Sequence, residues 1–290
     1  MREQHVRTAN LAGRLVLITE HGTAVDVERE SRGRFGSEPQ RIYDDWTAFR
    51  SWAATADLPA GEPFAPSDLG SPAPTPRQVF AIGLNYRAHA AESGFETPST
   101  LPPVFTKFST SITGPVSEVP LPDGGHTDWE VELVAVIGLP AHDVSVADAW
   151  SYVAGLTAGQ DISERLTQLA GPAPQFSLGK SFPGFTPMGP YLVTPDAFAD
   201  PDDVGLGCSI NGEEVQKGRT RDLVFSVPTL VAKLSAVLPL MPGDVIFTGT
   251  PAGVGIGRTP PRWLADGDVL VSHVDGVGQL RQTFRARHQE

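Results

Sequence analysis

The chain has 290 residues, enough to bury a large core as one big domain or as a main domain with a smaller appendage. Its 22 basic and 34 acidic residues give a formal net charge of −12, which argues against a nucleic-acid partner or an anionic membrane surface because both require clustered Lys and Arg. The single cysteine, Cys208, excludes an intrachain disulfide and any multi-cysteine zinc or iron–sulfur site. The sequence shows no signal-peptide or membrane-spanning apolar stretch, and it therefore predicts a cytoplasmic protein.

Residues 1–76 are predicted to form a small N-terminal domain that ends in a linker. Leu15–Ile18 and Thr23–Val27 are typical of a hairpin, and a short helix carrying Trp46 and Trp52 follows. The stretch Leu58–Pro76 is rich in Pro, Ser and Gly, as expected of a linker. No pattern in this part of the sequence indicates a catalytic site.

Residues 77–290 are predicted to form a second, larger domain of apolar strands separated by glycine turns. Asn211-Gly212 is a strong hairpin signal, because both central positions of the two-residue turn require positive φ. The predicted strands are Val79–Gly83, Glu130–Ile137, Leu206–Ile210, Glu213–Lys217 and segments around Asp244–Gly249 and Val269–His273; the predicted helices are Asn85–Glu92, Val146–Ala154 capped by Ser145, and Pro228–Leu238 starting at Ser226. This pattern predicts an α+β fold with a mixed sheet and few helices.

Two glutamates occupy alternate positions in the predicted strand that begins at Glu130. Side chains i and i+2 of a strand point to the same face, so Glu130 and Glu132 are predicted to lie side by side. The apolar residues that follow indicate a buried segment, where two unpaired carboxylates repel each other and lose hydration. A bound cation resolves both problems, and oxygen ligands favour Mg²⁺, Mn²⁺ or Ca²⁺ over zinc. The alternative is the solvated face of an edge strand.

Other polar residues are ambiguous from the local sequence. Asp161 can be a third ligand, but an aspartate before serine is more typical of a turn or a helix cap. His89 and Glu92 are i and i+3 on a predicted helical turn, where a carboxylate can orient an imidazole that acts as a general base. Their spacing alone favours a surface ion pair. The turn Phe247–Gly253 offers backbone N–H groups and the Thr250 hydroxyl to an anion, although a plain turn fits equally well.

Six segments, taken in order from about residue 78 to 280, together resemble the fumarylacetoacetate hydrolase (FAH) family. They are GLNYRAHAAE (83–92), PPVFTKFSTSITGP (102–115), DWEVELVAVIG (128–138), GQDISERLTQ (159–168), GKSFPGFTPMGP (179–190), and FTGTPAGVGIG (247–257) with DGDVL (266–270). The resemblance implies an FAH-like mixed β-sheet roll, with a β-sandwich-like core and few helices, as the catalytic domain at 77–290. It also implies a homodimer.

The resemblance assigns roles to individual residues. The family's metal ligands match Glu130, Glu132 and Asp161, which overrides the local preference for a cap at Asp161, and the implied cofactor is Mg²⁺ or Mn²⁺, with Ca²⁺ as an alternative in crystals. Its catalytic residues match His89, Glu92 and Lys180, and its substrate-contacting residues match Gln168, Thr250 and, less closely, Lys107. Leu166 stands where similar members usually show an aspartate, which puts the polar network on the substrate side in question.

The implied function is metal-dependent hydrolysis of a C–C bond in an acylpyruvate or related 2,4-diketo acid, giving pyruvate and a carboxylic acid. His89, oriented by Glu92, takes a proton from water, and Lys180 stabilises the oxyanion. The alternatives are oxaloacetate decarboxylation, isomerisation of a 2-hydroxyhepta-2,4-diene-1,7-dioate, and a catalytically silent, metal-dependent 2-oxo-acid-binding protein. The loops Gly94–Leu101 and Leu169–Leu178 are expected to line the pocket for the distal group, which the sequence does not identify.

Overall fold

The computed structural model describes residues 5–92, 96, 98–100 and 102–286. The strands are β1 Arg7–Leu11, β2 Arg14–Ile18, β3 Ala24–Asp26, β4 Leu69–Gly70, β5 Val79–Ile82, β6 Val104–Thr106, β7 Ile112–Thr113, β8 Val116–Leu121, β9 Thr127–Asp128, β10 Val131–Ile137, β11 Val153–Gln160, β12 Ser163–Glu164, β13 Thr186–Val193, β14 Gly205–Ile210, β15 Glu213–Arg219, β16 Val245–Phe247, β17 Val269–Val274 and β18 Gly278–Ala286. The α-helices are α1 Val27–Glu30, α2 Trp46–Ala53, α3 Arg87–Glu92, α4 Arg165–Gln168, α5 Phe176–Gly179 and α6 Val227–Ser235.

Most of these strands join one mixed sheet. Its order is β3-β2-β1-β13-β11-β10-β16-β5-β6, with β4 paired to β1 and β7 paired to β13. The pairings are antiparallel except for β16 with β5 and β13 with β7, which are parallel. A second sheet has the order β15-β14-β17-β18-β8, and β9 and β12 form a short separate ladder. The mixed α+β fold with few helices agrees with the prediction.

The two larger sheets pack face to face over a shared apolar core. Alternate residues of β10 point into this core from the large sheet: Val131, Leu133, Ala135 and Ile137. The smaller sheet contributes residues that include Leu206, Cys208, Leu270 and Phe284. This packing makes the centre of the molecule a β-sandwich.

The opposite face of the large sheet is covered by the N-terminal part of the chain. Trp46 and Phe49 of α2 share a second apolar core with Val134 and Val136, the alternate residues of β10. In addition, β1 pairs with β13, so strands from residues 1–76 extend the large sheet. The division into domains at 76/77 stays a prediction.

One predicted helix is wrong. Between Val146 and Ala154 the structure has only a 3-10 helix, Ala149–Tyr152, and strand β11 begins at Val153. The hydroxyl of Ser145 does accept a hydrogen bond from the backbone N–H of Asp148 at 3.2 Å, as a capping serine would. The turn ends early because β11 pairs along its length with β10 and is buried throughout.

The other predicted elements agree with the structure, apart from shifts of a few residues at their ends. Asn211 and Gly212 have φ of 53° and 88°, as the predicted hairpin between β14 and β15 requires. The predicted helix near Pro228 is α6, with Ser226 at its N-cap. Among the described residues, no helix is both long and apolar enough to cross a membrane.

Candidate active site

The alternation of β10 brings its two glutamates to one face of the large sheet. The residues at alternate positions further along the strand, Val134 and Val136, pack under α2, so Glu130 and Glu132 point to that same side at the strand's N-terminal end. Glu130 is 6% exposed and Glu132 is 1% exposed. The structure therefore places both carboxylates in the protein interior, and the alternative of a solvated edge strand does not apply.

Asp161 meets these glutamates because β11 runs antiparallel to β10. Val131 lies opposite Gln160, and the backbone N–H of Asp161 donates to the carbonyl of Glu130 at 2.9 Å. Carboxylate oxygens of Glu130, Glu132 and Asp161 all lie within 4.8 Å of one another, and Asp161 is fully buried. We call these three residues the acidic triad. Its donor set consists only of oxygen, which suits a hard divalent cation.

Three buried cations contact the acidic triad. Nζ of Lys180 lies 2.8 Å from both Glu130 Oε2 and Asp161 Oδ2, and Nζ of Lys107 lies 2.5 Å from Asp161 Oδ1. Nη2 of Arg165 lies 2.7 Å from Glu130 Oε1. Glu132 has no such partner among the ion pairs of the described residues, and its Oε2 accepts a hydrogen bond from the backbone N–H of Gly249 at 2.6 Å.

The electrostatics of the acidic triad follow from these contacts. Burial raises the pKa of Glu130, but Lys180 and Arg165 outweigh it and hold that pKa below its usual range. Burial, reinforced by the carboxylates of Asp161 and Glu130, raises the pKa of Glu132 well above its usual range. Adding a divalent cation would relieve the repulsion that Glu132 experiences.

The two lysines differ because they face different numbers of carboxylates. Burial lowers the pKa of both, but the carboxylates of Asp161 and Glu130 overcome this effect at Lys180 and raise its pKa. At Lys107 burial prevails over the attraction of Asp161, and the pKa is lowered. The contacts therefore favour the charged form of Lys180 more strongly than that of Lys107.

His89 and Glu92 lie on α3 and form a hydrogen-bonded pair. Nδ1 of His89 is 2.9 Å from Oε1 of Glu92, the i to i+3 contact expected from their spacing. The His89 side chain is 9% exposed, so the pair is not the surface contact that spacing alone favours. With Nδ1 donating to a carboxylate, Nε2 is the nitrogen available to accept a proton.

A glycine-rich loop, Gly249–Gly257, is held against the protein's own carboxylates. Its backbone N–H groups donate to Glu132 from Gly249, to both oxygens of Glu92 from Gly253 at 3.1 and 3.0 Å, and to Asp128 from Gly255 and Ile256. Within Phe247–Gly253, where the sequence leaves an anion-binding turn and a plain turn open, Gly249 and Gly253 donate to carboxylates of the chain itself. Through this loop, the position of Glu92 is tied to that of the acidic triad.

A cavity of about 490 Å³ opens beside the acidic triad. The predicted site residues His89, Glu92, Glu130, Gln168, Lys180 and Thr250 all line it, together with Arg165. Glu132 and Asp161 lie behind Glu130 and Lys180 and do not form part of the wall. The arrangement therefore brings an imidazole, one carboxylate of the acidic triad and a lysine to one cavity.

The three predicted substrate-contacting residues, Gln168, Thr250 and Lys107, differ in the hydrogen bonds that their side chains already make within the protein. Oε1 of Gln168 accepts from Arg165 at 2.8 Å, which leaves its amide group for other partners. The Thr250 hydroxyl donates to the carbonyl of Val131 at 2.9 Å. Lys107 does not line the cavity; its Nζ also donates to the carbonyl of Lys180, so it supports Asp161 and Lys180 from behind. Their roles toward a substrate stay predictions.

The departure at Leu166 lies outside the cavity wall. Leu166 is 52% exposed and is absent from the cavity lining. Within Leu169–Leu178, Leu169 and Phe176 line the cavity as expected. Of the other expected loop, Gly94–Leu101, residues 94, 95, 97 and 101 lie outside the described residues.

Two residues of this site were not given a role from the sequence. Arg165 bridges Asp128 and Glu130, with Nη2 at 2.7 Å from an oxygen of each, and its Nη1 donates to Gln168. Asp128 in turn receives the N–H groups of the glycine loop. Both side chains are buried, and the signal available in the sequence was an arginine three residues before Gln168, the spacing of neighbours on one helix face.

A model of the fumarylacetoacetate (FAA) hydrolase C-terminal family matches residues 78–285 of the chain. The chain belongs to this family. The FAH-family match begins at the first strand of the predicted catalytic domain, β5, and ends in the last strand, β18.

Named FAH-family relatives include enzymes with different activities. Human oxaloacetate tautomerase FAHD2A, a mitochondrial protein, is 42% identical over 211 residues, covering 72% of this chain and 67% of the relative. A crystal structure of a candidate HpcE protein from Mycobacterium smegmatis is 54% identical, with a TM-score of 0.93 and coverage of 97% and 100%. Fumarylpyruvate hydrolase from Pseudomonas aeruginosa, solved with Mn²⁺ and pyruvate, is 30% identical, with a TM-score of 0.67 and coverage of 73% and 91%.

Proposed function

We propose that this FAH-family protein is a metal-dependent hydrolase that cleaves a C–C bond in an acylpyruvate or related 2,4-diketo acid. The products are pyruvate and a carboxylic acid. The observation that carries the proposal is that the His89–Glu92 pair lines the same cavity as Glu130, a member of the acidic triad. A protein that only binds a 2-oxo acid needs the cation site but has no use for an oriented base.

The acidic triad is the group of residues that would hold the cation. Its donor atoms are all carboxylate oxygens, and burial together with the Asp161 and Glu130 carboxylates raises the pKa of Glu132, a cost that a bound cation would offset. Mg²⁺ or Mn²⁺ fits this donor set, and a crystallised relative carries Mn²⁺ with pyruvate. When bound, the ion supplies Lewis-acid stabilisation of the negative charge that develops on the 2-oxo acid.

The chain's own residues transfer the protons and activate the attacking water. Glu92 fixes the His89 ring through Nδ1, so that Nε2 takes a proton from water. The resulting hydroxide attacks the distal acyl carbonyl, and the Lys180 ammonium stabilises the oxyanion. The bond to C3 of the pyruvate unit then breaks, and C3 takes up a proton. Gln168 and Thr250 are proposed to contact the substrate from the wall of the cavity.

Oxaloacetate chemistry is the second candidate, and the 42% identity with human oxaloacetate tautomerase is the observation that favours it. A tautomerase needs a base that moves a proton between carbon and oxygen, and the His89–Glu92 pair can also serve that purpose. Tautomerisation was not among the alternatives considered from the sequence, which named oxaloacetate decarboxylation and dienedioate isomerisation. None of these reactions requires attack by water.

Product analysis separates these reactions. Acetylpyruvate, oxaloacetate and 2-hydroxyhepta-2,4-diene-1,7-dioate are each incubated with the protein and Mg²⁺ or EDTA. We expect acetate and pyruvate in equal amounts from acetylpyruvate, with no product in EDTA and a rate about 10²–10⁴-fold lower with His89→Ala. Formation of CO₂ or of a tautomer from oxaloacetate, without cleavage of acetylpyruvate, would contradict the proposed hydrolysis and support oxaloacetate chemistry. If no compound is turned over, the result supports a catalytically silent binding protein. A homodimer and a cytoplasmic location stay predictions.

A further inference from the structure

The cavity wall is mostly apolar beyond the polar groups already described. Its apolar side chains are those of Ile82, Leu84, Pro103, Phe105, Leu169, Phe176 and Ile256. Phe105 and Phe176 pack edge to face, with ring centroids 5.5 Å apart, and Nζ of Lys180 lies 5.1 Å from the centre of the Phe105 ring. An aromatic surface therefore begins directly beside the acidic triad.

The cationic side chains of this wall already form ion pairs within the protein. Among the described residues that line the cavity, the cationic side chains are Lys180 and Arg165, and each contacts two carboxylates. Glu92 adds a carboxylate to the same wall. A second negative charge on the substrate would meet no unengaged cation there, and it would face Glu92.

The sequence after the His89–Glu92 pair adds no cation either. Residues 93–101 read Ser-Gly-Phe-Glu-Thr-Pro-Ser-Thr-Leu, with one acidic residue and no lysine, arginine or histidine. This segment, wherever it lies, contributes no positive charge to recognition of a distal carboxylate.

We propose that the cavity selects 2-oxo acids whose distal group is uncharged and apolar, an alkyl or aryl acyl group, over those that end in a second carboxylate. The inference rests on the proposed function and names its substrate class. Transfer of an apolar group onto Phe105, Phe176 and Leu169 is favourable. A carboxylate at the same position would lose hydration without gaining an unengaged cation among the described residues.

Leu169 is the position at which this selectivity can be reversed. Leu166 and Leu169 lie within and directly after α4 and are 52% and 46% exposed, so either tolerates a long polar side chain. Only Leu169 lines the cavity. Leu169→Arg would place a guanidinium where a distal carboxylate can reach it, and Leu166→Arg is the matched control with the same charge.

Binding is measured by calorimetry with the Mn²⁺-loaded protein and two commercial 2-oxo acids of similar length. We expect 2-oxoheptanoate to bind the wild type about tenfold more tightly than 2-oxoadipate. Leu169→Arg should remove or reverse this preference, and Leu166→Arg should retain it. Equal or tighter binding of 2-oxoadipate by the wild type overturns the inference, as does an equal effect of the two arginine variants.

Turnover provides the second measurement. We expect kcat/KM for hexanoylpyruvate to exceed that for fumarylpyruvate by about tenfold. If neither compound is cleaved but the binding preference is observed, hydrolysis is wrong and the selectivity stands. If fumarylpyruvate is cleaved at least as well as hexanoylpyruvate, the hydrolase stands and the selectivity is wrong.

Discussion

The backbone N–H of Gly253 donates to both carboxylate oxygens of Glu92, at 3.1 and 3.0 Å. The carboxylate that orients His89 is therefore held by the glycine loop as well as by its own helix. The same loop reaches Glu132 through Gly249 and Asp128 through Gly255. One backbone segment thus contacts both the carboxylate that is hydrogen-bonded to His89 and a carboxylate of the acidic triad.

Gly255→Ala should damage this loop. A Cβ at Gly255 would overlap the carbonyl oxygen of Arg262 and lie 2.7 Å from Oδ1 of Asp128. We expect a loss of about 1–3 kcal/mol in the free energy of unfolding, measured by urea denaturation, and a clear fall in kcat because the loop moves away from Glu92. The control is Gly36→Ala, where a Cβ has nothing within 4 Å. Equal stability and activity of the two variants would contradict this account of the loop.

Removing the imidazole should affect catalysis and leave cation binding intact. We expect His89→Ala to lower kcat by about 10²–10⁴-fold, the usual contribution of a general base. Glu92→Gln should have a smaller effect, because an amide oxygen can still accept the N–H of Gly253 but no longer bears a charge beside the ring. Mn²⁺ affinity, measured by calorimetry, should stay the same in both variants.

Arg87→Ala is the control for this helix, since Arg87 is exposed on α3 and does not line the cavity. It should retain wild-type kcat. Full activity of His89→Ala would remove the imidazole from the mechanism, and loss of Mn²⁺ binding in that variant would assign it to the cation site.

The local parts of the site could be predicted from the sequence, and the long-range parts could not. The shared face of Glu130 and Glu132 follows from strand alternation, and the contact of His89 with Glu92 follows from helical spacing. Asp161 joins the glutamates only through the register of β10 against β11, which its neighbours in the sequence do not encode. For that reason local reasoning favoured a cap there, and only the resemblance to the family corrected it.

The same division explains the other differences. From the sequence, Phe247–Gly253 fits an anion-binding turn and a plain turn equally well, because the carboxylates that its backbone contacts, Glu92 and Glu132, come from distant segments. The predicted helix at Val146–Ala154 does not form over its full length, and its last two residues belong to strand β11. Pairing of β11 with β10 in the centre of the sheet outweighs the local helical preference there. Tertiary contacts decided both outcomes.

A divalent cation should stabilise the folded protein. Binding at about a hundredfold excess over Kd adds about 2.7 kcal/mol, which for a chain of this size raises Tm by about 5 °C. Mn²⁺ and Mg²⁺ should both raise Tm in a thermal melt, and EDTA should reverse the change. Glu132→Gln should abolish the increase because it removes the carboxylate of the acidic triad that has no cationic partner in the part of the chain that the structure describes.

Glu132→Gln carries an additional expectation for the metal-free protein. Because the carboxylate of Glu132 is buried beside Asp161 and Glu130, its removal relieves repulsion, and the metal-free variant should be at least as stable as the wild type. Glu214→Gln, an exposed position on β15, is the control and should respond to Mn²⁺ like the wild type. A normal Mn²⁺-dependent rise in Tm for Glu132→Gln would place the cation elsewhere.

Cys208 should react with thiol reagents only when the β-sandwich opens. Its side chain lies in the core between the two sheets and is 2% exposed, and burial raises the pKa of its thiol, so the reactive thiolate does not form near neutral pH. We expect no reaction with Ellman's reagent at about pH 8 in native buffer and one thiol per chain in denaturant. The midpoint of labelling in urea should coincide with that of tryptophan fluorescence. Labelling at lower urea would mean that the two sheets separate before the rest of the molecule unfolds.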